Sequence, residues 1–126
     1  MVKVSIRKQV DVEYRDIRAE DPDDAFFMQL FPKIAPYTMT VERGIEAPYQ
    51  LYKAIQYIVQ NGIPGDIVEC GVWRGGSVML MAMALQRFCD SGRKIYLSDT
   101  YEGITRPDDR DTDWDGKHYQ SNWDED

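Results

Sequence analysis

Ile67-Val68-Glu69-Cys70-Gly71-Val72-Trp73-Arg74-Gly75-Gly76-Ser77 is the stretch on which the fold turns. A short apolar run carries the acid Glu69 near its end, a glycine-rich turn follows, and a hydroxyl residue stands where the next helix is expected to begin. The segment from Asp66 to Cys70 is too short for a helix and rich in β-branched residues. Pro64-Gly65 and Gly71 punctuate it, so it reads as a buried strand. Gly71, Gly75 and Gly76 lack a Cβ; they can take positive φ and let a ligand approach the backbone closely. Ser77 suits the N-cap of the following helix, whose first amides have no partner inside it. Free amides and the helix dipole together make an anion site.

The spacing Gly-x-x-x-Gly-Gly is not the dinucleotide spacing Gly-x-Gly-x-x-Gly, and no Gly-Lys-Ser/Thr follows, which counts against NAD and ATP. A tight turn that uses glycine for geometry alone is the competing reading. S-adenosylmethionine (SAM) fits the pattern. Its methionyl carboxylate supplies the anion, and Glu69, at the carboxyl end of the strand, can accept from its ammonium group. Ligands of open α/β sheets sit at such strand ends.

Outward from this turn, Ser77 to Phe88 reads as a helix apolar over most of its surface, sandwiched between the sheet and another layer. Its methionines are adaptable core filler, and Asp90-Ser91-Gly92 ends it. Lys94 to Ser98 is a second strand closed by Asp99. Strand, helix and strand in this length make one right-handed βαβ unit. Asp99 therefore comes close to the glycine turn, where a carboxylate can accept from both ribose hydroxyls of a nucleoside. Upstream, Pro48 to Asn61 is the clearest helix: Leu51, Tyr52, Ile55, Ile58 and Val59 share one face, which should cover the sheet. Pro48 fits its first turn and Gly62 its C′ position.

Asp23-Asp24 can cap a short helix carrying Phe26, Phe27, Leu30 and Phe31, with Pro32 and Pro36 bounding an irregular segment beyond it. The aromatic cluster packs on the core or on a partner chain. In Tyr37-Thr38-Met39-Thr40, Thr40 can act as an ordinary helix cap. Residues 1–22 alternate weakly, as a short edge strand or a loose arm, within an acidic surrounding. Asp111 to Gly116 copies the start of an EF-hand loop, but its twelfth position is Asn122 and no flanking helix pair is visible, so a solvated acidic segment is the better reading. His118 is the only histidine and the one ready-made base near neutral pH.

The chain has 126 residues and a formal net charge of −7. That charge argues against a nucleic-acid surface and against an anionic membrane surface. No apolar run approaches spanning length, and the first ten residues lack the apolar region of a signal peptide. Cys70 and Cys89 form no Cys-x-x-Cys pair, so no metal site is expected from them; both read as buried, reduced thiols of a cytoplasmic protein.

Four segments together, Tyr37-Thr38-Met39, Asn61 to Asp66, Val68 to Ser77 and Asp99-Thr100-Tyr101-Glu102-Gly103, resemble the macrocin O-methyltransferase (TylF-type) family. The resemblance spans about residues 35–110. It implies a Rossmann-like α/β fold, SAM as cofactor, methyl transfer to a small-molecule hydroxyl (in several members a macrolide sugar) and a divalent metal, usually magnesium. By the same resemblance Gly71, Val72, Trp73, Arg74, Gly75, Gly76 and Ser77 wrap the methionyl part of SAM, with Glu69 beside it. Asp99 holds the ribose, Thr100 follows it, Tyr37, Thr38 and Met39 close over the cofactor, and Tyr101 and Trp73 border the adenosine. His118 lies in the region where related enzymes carry a catalytic histidine.

The family continues with further strands, an aspartate pair for the metal and part of the acceptor pocket, which have no counterpart before Asp126. The expected organisation is therefore an arm with an aromatic helix over 1–35, the N-terminal part of a SAM-binding α/β domain over 36–110 and an acidic segment over 111–126. The metal ligands are not expected in this chain. The expected function is the cofactor-binding N-terminal part of an O-methyltransferase. The alternative is a non-catalytic remnant or interaction module that buries its open sheet edge against a partner or its own copy, as a homo-oligomer.

Overall fold

In the computed structural model, strand β3 (Ile67–Cys70) and strand β4 (Ile95–Ser98) pair in parallel, with Ile67 opposite Ile95 and Cys70 opposite Ser98. Helix α3 (Gly76–Arg87) makes the crossover between them. The expected strand–helix–strand unit is present, with both strands one residue shorter than expected. The structure describes residues 2–4, 12–14, 17–18, 20–39, 44–103, 106–112 and 116. At the N-terminus, β1 (Val2–Val4) and β2 (Val12–Tyr14) form a separate antiparallel pair. Mixed helices with a small parallel sheet are compatible with an incomplete α/β fold.

Helix α1 (Pro22–Ile34) starts ahead of the expected Asp23-Asp24 cap. Asp21 is the N-cap, in extended conformation, and its carboxylate accepts from the Asp23 amide at 2.8 Å and the Asp24 amide at 3.3 Å. Asp23 and Asp24 lie in the first turn, where the helix dipole favours acids. Pro32 does not bound the helix. Near a C-terminus a proline removes only its own N–H bond, and burial of Phe31 and Ile34 offsets that loss. A 3-10 turn, Ala35–Tyr37, follows directly.

Helix α2 (Glu46–Gln60) contains Pro48 in its first turn and buries Pro48, Tyr49, Tyr52 and Ile55. It ends as expected at Gly62. That residue has φ +60°, its amide donates to the Val59 carbonyl, and the Ile63 amide donates to Ile58, the two bonds of a Schellman ending. Contrary to expectation, α2 packs chiefly on α3 and then α1, not on the sheet. The reason is that α3 already occupies the sheet face, and Ile67 and Ile95 reach the core from beneath it.

Phe27 and Tyr52 have no exposed surface. Their rings lie 5.4 Å apart at the junction of α1 and α2, with Tyr49 edge-on to Phe27 at 5.2 Å and Phe88 at 5.4 Å from Tyr52. The aromatic helix therefore packs on the core. A polar lattice closes over this cluster. The buried Asp24 carboxylate accepts from Tyr49 Oη (2.9 Å), Lys53 Nζ (3.2 Å) and the Arg18 amide (3.0 Å). Asp23 binds Gln56 at 2.8 Å and Arg87 at 3.0 Å, tying α1 to α2 and α3. Burial, ahead of the neighbouring Asp23 charge, pushes the Tyr52 phenol far up, and its hydroxyl donates to the Asp23 carbonyl.

Two further expectations need correction. β3 is not buried: Val68 is 62% exposed and Tyr96, its partner on β4, 53%. Helices cover only the face of the pair that carries Ile67 and Ile95. For the same reason Cys70, which shares a face with Val68, is exposed; Cys89 is exposed as well. Cys89 takes φ +60° one residue past the cap of α3, where its amide bonds Gln86 and the next amide bonds Leu85. A helix-ending turn, not the core, holds this thiol.

Candidate functional site

The turn between β3 and α3 is built from left-handed residues. Gly71 (φ +86°) and Gly75 (φ +79°) supply two of them, and a Cβ at either would meet open space. Gly75, not Ser77, is the N-cap of α3. A glycine in left-handed conformation turns the chain sharply enough to start the helix at Gly76, which moves Ser77 into the first turn. The amides of the first turn still lack helical acceptors.

Gly76 is needed for a different reason. A Cβ there would lie 2.5 Å from the carbonyl carbon and oxygen of Tyr37 and 2.7 Å from Thr38 Cβ. The 3-10 turn thus rests directly on the start of α3. Thr38 is buried, with its hydroxyl 3.4 Å from that of Ser77, while Tyr37 and Met39 are exposed beside it. A cleft of about 160 Å³ opens where the ends of α1, α2 and α3 meet, walled by Ile34, Thr38, Pro48, Ser77 and Leu80. The sequence shows Gly76 as one glycine among three; nothing in its spacing separates the one that packs from the two that bend.

Glu69 lies on the covered half of β3. Its Oε2 is buried without a hydrogen-bond partner. Burial raises its pKa, and a hydrogen bond from Ser77 acts in the opposite sense. An unsatisfied buried carboxylate oxygen is costly unless a donor arrives. A ligand ammonium beside the glycine turn would be such a donor.

Asp99 closes the other side. Its Oδ2 accepts from the Val72 amide at 2.5 Å and the Trp73 amide at 3.3 Å; its Oδ1 accepts from the Tyr101 amide at 3.2 Å. The Thr100 hydroxyl lies 3.5 Å from Oδ1 and 3.2 Å from the Gly103 carbonyl. The Val72 amide foremost, with those of Tyr101, Trp73 and Thr100, holds the carboxyl below the usual range. Trp73 (φ +46°) and Tyr101 (φ +56°) are left-handed non-glycine residues, one on each loop that Asp99 grips. Both rings are exposed, and the Arg74 guanidinium stacks 4.6 Å from the Trp73 ring centre.

The structure therefore brings together Tyr37, Thr38 and Met39, the turn from Gly71 to Ser77, and Asp99 with Thr100, all around the carboxyl ends of two parallel strands. Glu69 joins them through Ser77. His118, Thr40 and Asn122 lie outside the described residues. Among the described residues no group of three or more His, Cys, Asp or Glu side chains could hold a metal ion, and no helix is long and apolar enough to cross a membrane.

The family model described as Macrocin-O-methyltransferase (TylF) matches residues 3–125. Among curated proteins, the chain is 33% identical over 84 residues to the 8-demethyl-8-(2,3-dimethoxy-alpha-L-rhamnosyl)-tetracenomycin-C 4'-O-methyltransferase of Streptomyces olivaceus, covering 67% of this chain and 31% of that protein. It is 34% identical over 61 residues to the demethyldecarbamoylnovobiocin O-methyltransferase of Streptomyces niveus, covering 48% and 23%. It is 28% identical over 81 residues to the mycinamicin III 3''-O-methyltransferase of Micromonospora griseorubida, covering 64% and 30%. The matched part thus spans less than a third of each relative's length. With a match over nearly all its residues, the chain belongs to the TylF macrocin-O-methyltransferase family, a family of O-methyltransferase enzymes.

Proposed function

We propose that the chain forms the SAM-binding part of an O-methyltransferase, on a Rossmann-like fold, that methylates a hydroxyl of a small molecule. The observation that carries this reading is the orphaned Oε2 of Glu69, buried beside a glycine turn at a helix N-terminus. A ligand with an ammonium and a carboxylate on one carbon meets both features: the ammonium donates to Glu69 and the carboxylate accepts from the first amides of α3. The exposed rings of Trp73 and Tyr101 offer flat surface for the adenine, and Tyr37, Thr38 and Met39, at and just after the end of the 3-10 turn, cover the ligand.

When bound, SAM supplies a methyl group on a sulfonium that is already a good leaving group. The residues present here bind and orient it, and their contribution to rate is placement of the methyl carbon in line with an acceptor oxygen. The relatives' names specify a rhamnosyl-tetracenomycin, demethyldecarbamoylnovobiocin and mycinamicin III as acceptors, and a hydroxyl on a glycosylated secondary metabolite is the acceptor class we assign. His118 is the base this reading would test first. The family's magnesium finds no donor set among the described residues.

The test is thermal unfolding with ligands in excess. SAM and S-adenosylhomocysteine should raise Tm, because a ligand at a hundred times its Kd adds roughly 2.7 kcal/mol to the unfolding free energy. Adenosine, which lacks the amino-acid part, should raise it far less. Equal shifts for all three, or none, would refute the assignment. A second reading, an interaction module acting as a homo-oligomer, draws on the apolar outer face of the sheet at Val68 and Tyr96; a chain that binds no SAM and sediments as a stable dimer would favour it.

A further inference from the structure

We propose that Thr38 and Ser77 are positioning residues for the ammonium end of the cofactor: a file of hydrogen bonds from Thr38 through Ser77 to Glu69 fixes that carboxylate and leaves its Oε2 for the ligand. The inference rests on the SAM reading above and concerns how the acceptor of the ammonium is held.

Two contacts make the file. The Ser77 hydroxyl bonds the Glu69 carboxylate, and the Thr38 hydroxyl lies 3.4 Å from the Ser77 oxygen. Their direction follows from the chemistry of the three groups. An ionised carboxylate can only accept, and a hydroxyl has one proton to give. Ser77 therefore gives its proton to Glu69, and Thr38 is the donor in its bond with Ser77. Hydrogen bonds in such a row polarise one another, so the far hydroxyl strengthens the near bond. Oε2 of Glu69 is buried without a partner, so the Ser77 bond falls on the other oxygen. A binding carboxylate keeps its geometry when a supporting bond fixes its rotamer.

The three members sit on three segments that the backbone holds together. Glu69 is on β3, Ser77 is in the first turn of α3, and Thr38 ends the 3-10 turn in extended conformation. The Tyr37 carbonyl passes so close to Gly76 that a Cβ there would lie 2.5 Å from it. That approach brings Thr38 within reach of Ser77. Of Tyr37, Thr38 and Met39, Thr38 alone is turned inward: it is 8% exposed, against 47% and 55% for its neighbours. Covering a ligand calls for shape, which a valine would supply equally well. The Thr38 hydroxyl has a use only if it acts through Ser77.

The experiment compares wild type with Ser77→Ala, Thr38→Val and Thr38→Ser. Calorimetry measures S-adenosylhomocysteine and its desamino analogue, which keeps the carboxylate and the nucleoside but has no ammonium. The preference for S-adenosylhomocysteine over the analogue should fall about tenfold in Ser77→Ala and about threefold in Thr38→Val. Thr38→Ser, which keeps the hydroxyl, should restore it. A preference unchanged in both Ser77→Ala and Thr38→Val would overturn the proposal. The second readout is the Glu69 carboxyl of the unliganded chain, followed by carbon-13 NMR against pH. Ser77→Ala should move its titration upward, because the lost bond acted against burial, and Thr38→Val should move it the same way by less. A Glu69 titration unmoved in both variants would also overturn it. If the wild-type chain binds neither ligand, the SAM reading fails and the cofactor role fails with it, while the Glu69 titration still decides whether the file exists.

Discussion

The helical half of the molecule and the strand half solve different problems. Around Phe27, Phe31 and Tyr52, three helices bury aromatic rings completely and cover them with the Asp23–Asp24 lattice. Around β3 and β4, large apolar side chains stand in water, non-glycine residues sit at positive φ, and a carboxylate oxygen is buried without a partner. The first half is organised for stability. The second carries the cost of features that only a ligand or further covering would repay, which is the pattern expected where chemistry takes precedence over packing.

Breaking that comparison most severely means entering the helical core. Phe27→Ala should cost about 3–5 kcal/mol in urea unfolding, because the site is closed on all sides and collapses poorly. Asp24→Ala should follow at about 2–3 kcal/mol, since it removes the buried carboxylate that accepts from Tyr49, Lys53 and the Arg18 amide. Both should lower ligand binding only through loss of folded protein.

Gly76→Ala tests the seam between the halves. Its Cβ would strike the Tyr37 backbone, and the expected cost is about 1–3 kcal/mol. Unlike the core variants, it should weaken SAM at temperatures where the chain remains folded, because the 3-10 turn is pushed off α3. Gly71→Ala has open space instead, and its smaller cost, about 1 kcal/mol, comes from positive φ alone.

Glu69 sharpens the contrast through pH. Its folded pKa is raised, with burial as the cause. The sign follows: the stability associated with the protonated carboxyl is fully present below the unfolded pKa and is lost as pH rises through the folded value. Glu69→Gln should remove that dependence and leave the unliganded chain no less stable at neutral pH, seen as a flatter curve of unfolding free energy against pH. The smallest effect belongs to the outer sheet face, where Val68→Thr should change stability by less than about 0.5 kcal/mol in urea unfolding.

Much of this was legible in the sequence where one local rule dominates. The ends of β3 and β4, the Gly62 ending of α2 and the buried stripe through Tyr52 and Ile55 follow from periodicity and punctuation. Readings failed where a neighbour distant in sequence decides. Ser77 is a good cap in isolation, but the left-handed Gly75 starts the helix first. Cys70 is apolar enough for a core, yet it faces the uncovered side of the sheet. Asp21 outcompetes Asp23 and Asp24 as a cap because it alone takes the extended conformation that a cap requires. The candidate site was readable as a set of residues; its internal wiring, Asp99 on the turn amides and Gly76 under Tyr37, was not, since both join segments more than twenty residues apart.

The central claim is that Glu69 and the start of α3 together receive the amino-acid end of SAM. Titration calorimetry of S-adenosylhomocysteine into wild type and Glu69→Gln tests it most directly. The account predicts measurable binding by the wild-type chain and a loss of at least about tenfold in the variant, the worth of one charge-assisted bond, with folding intact by circular dichroism. Equal affinity for both proteins would contradict it, because the orphaned oxygen would then have no part in holding the ligand.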